Sequence, residues 1–189
     1  MRRDEQDVWL EGVSRLPTSH SDERPEDRQQ VQSIDLLVIH NISLPPAKCE
    51  SDFDNDHVEA FFTGRLDCSL HPIFEQLRGV RVSSHLYIKR CGAIFQFVPL
   101  NRRAWHAGVS EFQGRSRCND FSIGIELQGT DTLAYTQAQY DALANVTRQI
   151  RHLCPNISVA NIVGHSDIAP GRKTDPGPAF DWLRYKNQI

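Results

Sequence analysis

The stretch Ile34-Asp35-Leu36-Leu37-Val38-Ile39-His40 is a near-continuous apolar run, rich in branched residues, that ends on an imidazole. A strand with one face in water alternates apolar and polar residues, whereas a strand covered on both faces does not. This run therefore predicts a central strand with structure packed on either side. The chain leaves it through Asn41 toward Pro45-Pro46, which puts His40 at the C-terminal end of the strand, where open α/β sheets gather their ligands. A second strand reads differently. Phe121-Ser122-Ile123-Gly124-Ile125-Glu126-Leu127 alternates, which directs Phe121, Ile123, Ile125 and Leu127 to the core and Ser122, Gly124 and Glu126 the other way. Glu126 is expected on an uncovered face.

Outward from these two runs, residues 84–89 and 93–98 predict a pair of strands joined by the short hairpin connection Arg90-Cys91-Gly92. Residues 56–64 predict a short helix closed by Gly64. Residues 136–153 carry Tyr140, Leu143, Ala144, Val146, Ile150 and Leu153 at helical spacing, with Thr136 to start the helix and Pro155 to stop it. Ile162-Val163-Gly164 makes a last short strand feeding His165, and residues 179–186 a closing helix. At the other end, residues 8–13 predict a short helix and residues 20–33, polar and aperiodic, a solvated connection. The expectation is an α/β fold: one domain over residues 1–189, with a mixed central β-sheet flanked by helices and residues 1–33 as an N-terminal helix and polar connection.

With 189 residues and 39% of them hydrophobic, the chain can bury one sizeable core. A formal net charge of -3 offers no electrostatic grip on nucleic acid or an anionic membrane, so neither is expected as a partner and a small-molecule substrate is. A monomer is the expected state. Met1-Arg2-Arg3-Asp4-Glu5-Gln6-Asp7 leads into no apolar run of signal-peptide length, and Leu36-Leu37-Val38-Ile39 is far short of the roughly 20 residues that cross a bilayer. A cytoplasmic location is expected. The 5 cysteines contain no C-x-x-C pair, which fits reduced thiols. Of these only Cys118 is a candidate nucleophile, against the commoner reading of a buried cysteine as an inert small hydrophobe.

Hydrolytic zinc chemistry asks for three protein ligands and a fourth position open to water. His40 at the end of the first strand, His165 after the last one and Asp175 ten residues further on fit that requirement. Two neutral ligands and one carboxylate leave the ion a net positive charge, and with it the strength of a Lewis acid. Taken singly, a histidine at a strand end is more often a satisfied structural residue. The ligands are also too far apart in sequence for a compact H-E-x-x-H pattern.

The wording of four segments carries more. Val38-Ile39-His40-Asn41-Ile42-Ser43-Leu44-Pro45-Pro46, Ala104-Trp105-His106-Ala107-Gly108, Cys118-Asn119-Asp120-Phe121-Ser122-Ile123-Gly124-Ile125-Glu126, and the run from Gly164-His165 through Lys173-Thr174-Asp175-Pro176-Gly177 occur in that order along nearly the whole chain. Together they resemble the AmpD-type 1,6-anhydro-N-acetylmuramyl-L-alanine amidases, whose fold is shared with phage T7 lysozyme and the peptidoglycan recognition proteins. The resemblance implies one Zn2+ per chain held by His40, His165 and Asp175, with Lys173 catalytic and Glu126 a proton carrier or a support of the active conformation. It further implies that Arg81 and Arg117 lie near a peptide stem and that Asn41 and Trp105 line the substrate cleft. Guanidinium groups bind stem carboxylates in bidentate fashion, and an indole offers a flat wall to a sugar ring. His85 and His106 are read as cleft residues or as supports of the ligands. The substrate implied is a cytosolic anhydro-muropeptide, cut between the lactyl group and L-alanine during cell-wall recycling. Three other readings stand beside it: a non-catalytic binding module of the same fold, an amidase acting on intact wall, and a Cys-His amidase using Cys118. Filled ligand positions and Lys173 speak against the first, and the absence of a leader against the second.

Overall fold

Both faces of the apolar run at residues 34–40 are covered, as its composition requires. The computed structural model describes residues 6–189. Its strands are, in chain order, β1 (Ser14–Arg15), β2 (Ser21–Glu23), β3 (Leu36–Ile42), β4 (Leu86–Ile88), β5 (Ile94–Gln96), β6 (Arg102–Ala104), β7 (Glu111–Phe112), β8 (Arg115–Ser116), β9 (Ser122–Gln128) and β10 (Ile162–Gly164). Its helices are α1 (His57–Phe62), α2 (Gln137–Leu153), α3 (His165–Ile168) and α4 (Trp182–Lys186), with short 3-10 turns between them. A six-stranded sheet runs β1-β5-β4-β9-β3-β10; β4 and β5 pair antiparallel and the other neighbours are parallel. The expected mixed sheet flanked by helices is the fold.

Side-chain alternation splits β3 between two cores. Leu37 and Ile39 join Ile123, Ile125 and Leu127 of β9 under the apolar stripe of α2, formed by Tyr140, Leu143, Val146 and Ile150. Leu36 and Val38 face the other way, with Ala107, Cys118, Phe121 and Ile168. The helix α2 starts where its sequence says it should: Thr136 Oγ1 accepts from Gln139 N at 3.1 Å, and Gln139 Oε1 accepts from Thr136 N at 3.2 Å.

Four expectations need correction. Residues 8–13 form no helix; Val8 and Leu10 donate their backbone N–H to Asn101 Oδ1 and Gln96 Oε1, and Gly12 turns the chain at φ 70° so that β1 can pair with β5. Residues 20–33 are not a solvated connection, because His20, Arg24 and Val31 are buried and β2 pairs with β6. Phe121 departs from the alternation: it follows the 3-10 turn Cys118–Asp120 and packs with Leu36 and Val38 instead of Ile123. The closing helix begins only at Trp182, where Asp181 Oδ1 caps Arg184 N at 2.9 Å. No helix among the described residues is long and apolar enough to cross a membrane.

Candidate metal centre and active site

The alternation that sends Leu36 and Val38 to one face sends His40 there too, one position before Asn41 in β3. Its parallel neighbour β10 ends at Gly164, and the next residue, His165, opens α3 beside it. The loop that follows returns Asp175 to the same spot. His40 Nδ1 and His165 Nδ1 lie 2.9 Å apart, and each is 3.1 Å from Asp175 Oδ2. All three residues are buried, Asp175 the least so at 9% exposure. Burial holds His40 down to about 4, against the opposing pull of Asp175, so its imidazole is neutral. Burial works against ionisation of Asp175, yet the His165 and His40 imidazoles against its Oδ2 hold its carboxyl well below the usual carboxylate range.

The donor set fits a small divalent cation. The outer nitrogen of His165, Nε2, is 3.1 Å from the carbonyl oxygen of Ala107, which can only accept, so that nitrogen carries the hydrogen and the inner Nδ1 of the neutral ring offers a lone pair. A lone pair facing a carboxylate oxygen and a second imidazole nitrogen calls for positive charge among them. Ligand atoms about 3 Å from one another resemble the roughly 3.3 Å edge of a tetrahedral ion with N and O ligands. His40, His165 and Asp175 form a group able to hold a metal ion.

Glu126 pairs with His40 in the β3–β9 register, and Tyr87 of β4 pairs with Glu126, so the three lie abreast on one face. Glu126 was expected on an uncovered face, but every residue of β9 is buried. The segment after β6 covers that face, with the His106 ring directly over Gly124. Glu126 Oε2 has no hydrogen-bond partner, and burial, then the charge of Asp175, pushes its carboxyl well above the ordinary range while Lys173 pulls it back. Such a carboxyl exchanges protons closer to neutral pH than a surface glutamate does.

Lys173 is exposed on the wall of an open cleft of about 560 Å³, which Asn41, Pro46, Asp131, Arg172 and Asp175 also line. The Asn41 side-chain amide donates to Asp131 Oδ1 at 2.8 Å and to the Pro176 carbonyl at 3.1 Å, so both hydrogens brace the cleft wall. Trp105 is half-buried, donates its indole N–H to Asp22 Oδ1 at 3.0 Å, and has the exposed Arg81 guanidinium 5.5 Å from its ring centroid. The Arg117 side chain is 70% exposed and paired with Asp120 at 3.1 Å. Cys118 is fully buried and burial pushes its thiol up, which disfavours the nucleophilic thiolate.

Several residues at the site were not singled out from sequence. Asn119, Arg172 and Asp131 brace its walls through contacts to backbone or to other polar side chains, and nothing in their sequence context marks them. Gly124 did leave a sign: a residue without a side chain, between Ser122 and Glu126 on the same strand face, leaves room for another group to lie there.

The chain is similar to known proteins over nearly its full length. Residues 30–178 match the family described as N-acetylmuramoyl-L-alanine amidase. The chain is 56% identical over 178 residues to the 1,6-anhydro-N-acetylmuramyl-L-alanine amidase AmpD of Escherichia coli K12, covering 94% of this chain and 92% of that one. A crystal structure of a selenomethionine derivative of AmpD superposes with a TM-score of 0.89 at 52% identity, over 97% of this chain and 98% of that one. AmpDh3 from Pseudomonas aeruginosa, solved with an anhydromuramic pentapeptide, superposes with a TM-score of 0.60 at 29% identity, over 82% of this chain and 60% of that one.

Proposed function

This chain belongs to the N-acetylmuramoyl-L-alanine amidase family, and from that premise we infer that it hydrolyses the amide between the lactyl group of 1,6-anhydro-N-acetylmuramic acid and L-alanine in muropeptides. The observation that carries the reading is the triangle of His40, His165 and Asp175 with the buried carboxyl of Glu126 abreast of it. We assign the metal as zinc, one per chain, and the setting as the recycling of wall fragments in the cytoplasm. Zinc held by these three side chains supplies Lewis acidity toward the scissile carbonyl and toward water.

The remaining steps belong to the chain. Glu126 Oε2 accepts a proton from the attacking water as its oxygen bonds to the lactyl carbon, then returns that proton to the alanine nitrogen as the C–N bond breaks. Its raised affinity for a proton suits both halves of that exchange. The Lys173 ammonium, on the cleft wall two residues from Asp175, stabilises the negative charge that develops on the carbonyl oxygen. Trp105 offers an apolar face to the sugar, Asn41 holds the cleft wall, and the Arg81 and Arg117 guanidinium groups are available to stem carboxylates.

Incubation with anhydro-muropeptide and, separately, with intact sacculi tests the assignment. Peptide release from the soluble fragment is expected to stop on chelation and to return with added zinc. Release that survives complete removal of metal, or that is confined to sacculi, contradicts it.

A further inference from the structure

The outer nitrogens of both candidate histidine ligands are held by two consecutive residues. His165 Nε2 is 3.1 Å from the Ala107 carbonyl oxygen, and His40 Nε2 is 2.9 Å from His106 Nδ1. On the far side of its ring, His106 Nε2 is 3.2 Å from Ser122 Oγ. One arrangement of hydrogens satisfies all of these contacts. With Nδ1 of both ligands turned inward as lone pairs, His165 donates Nε2–H to Ala107, His40 donates Nε2–H to His106 Nδ1, and His106 donates its own Nε2–H to the Ser122 hydroxyl.

The two residues are pinned in turn. Asn119 Oδ1 accepts from the backbone N–H of His106 at 3.1 Å and of Ala107 at 2.8 Å. Arg172 Nη2 donates to the Ala107 and Val109 carbonyls, each at 2.6 Å. Below the His106 ring, Gly124 leaves the space it needs: a Cβ there would lie 2.5 Å from His106 Cγ. The His85 ring stands edge-on to His106 at 5.8 Å, fixed by Gly124 N–H to its Nδ1 and by its own Nε2–H to the Arg102 carbonyl, both at 3.1 Å.

We propose that His106 and Ala107, anchored by Asn119, form a single cradle that sets the tautomer and ring orientation of both histidine ligands, so that His106 and Asn119 are positioning residues for the metal. This deepens the zinc reading above and rests on it. Partners on the outer nitrogen of a metal-binding imidazole fix its tautomer and raise its basicity, and their loss costs about 10–100-fold in metal affinity. Here one segment serves both rings, so a single anchor controls two ligands.

Zinc affinity, measured by competition with a chromophoric chelator, tests the cradle, alongside urea unfolding of the metal-free protein. Asn119→Ala and His106→Ala are each expected to weaken zinc binding about 10–100-fold while the metal-free protein remains folded, and Asn119→Asp, which keeps the acceptor, to restore most of it. Gly124→Ala pushes the His106 ring aside with every hydrogen-bonding group retained and is expected to weaken zinc in the same way. Wild-type affinity in all of these variants overturns the cradle. Nitrogen-15 NMR of the zinc-loaded wild type reads the hydrogens directly and does not depend on any variant folding: Nε2–H on both His40 and His165 is expected, and zinc on Nε2 of either ring overturns the proposal. A wild type that binds no zinc defeats the metal assignment itself, a separate failure.

Discussion

Three imidazoles are held neutral by burial at the centre of this molecule: His40, His85 and His106 all lie below the ordinary histidine range. For His85 the nearby Arg24 charge adds to burial, and for His106 the His40 and His85 rings do. In the unfolded chain each takes up a proton near pH 6.5, whereas the folded protein resists until well below that. The unfolded state therefore binds more protons as pH falls below about 6.5, and the stability tied to neutral rings, fully present above that pH, is lost on acidification. For His40, shifted from 6.5 to about 4, the whole interval is worth on the order of 3 kcal/mol. Glu126, shifted upward, acts in the opposite sense over part of the range, so three rings are set against one carboxyl. The urea midpoint of the metal-free protein is expected to fall between about pH 7.5 and pH 5.5; a flat or rising midpoint contradicts this. The sequence named His40, His165, Asp175 and Glu126 as chemically interesting, but their depth of burial depends on which segments cover them, and that is not local information.

At the scale of elements, legibility followed periodicity. Helix α2 has seventeen residues with an apolar stripe and a capping box, and its start and end were readable. The β4–β5 hairpin and the short strand β10 were readable too, from branched residues bounded by turn signals. Residues 8–13 misled because Val8, Leu10 and Val13 do pack on the main core, but as extended chain whose backbone N–H groups are taken by Asn101 and Gln96, partners some ninety residues away. Propensity over so short a window is easily outweighed by such contacts. The cap of α2 gives a clean test. Thr136→Ala removes the acceptor for Gln139 N–H and is expected to cost about 1 kcal/mol in chemical denaturation. A change under a few tenths shows that neighbouring contacts, such as Thr136 Oγ1 to the Arg90 carbonyl at 2.7 Å, carry no weight either.

At the scale of the whole molecule, one side chain ties distant segments behind the site. The Arg24 guanidinium is 2% exposed and donates to the carbonyls of Leu100, Asn119, Asp120 and Ser122. It thereby joins the N-terminal segment to the turn that carries Asn119 and to the start of β9. Arg24→Ala leaves two buried and two part-buried carbonyls short of a donor and is expected to destabilise by on the order of 3 kcal/mol or more, with zinc affinity falling as the Asn119 turn loosens. Unchanged thermal and urea midpoints in that variant defeat this account. The branching of residues 34–40 and the alternation of residues 122–127 determined by themselves that this is a sheet-centred α/β protein with His40 and Glu126 on its strands, because side-chain direction along a strand is a local consequence of the pleat. Only the tertiary structure decided that His40, His165 and Asp175 meet within about 3 Å, that Glu126 is covered, and that a buried arginine ties the N-terminal segment to the core. Those outcomes depend on strand order and on segments from remote parts of the chain closing over one face, and no local pattern encodes that closure.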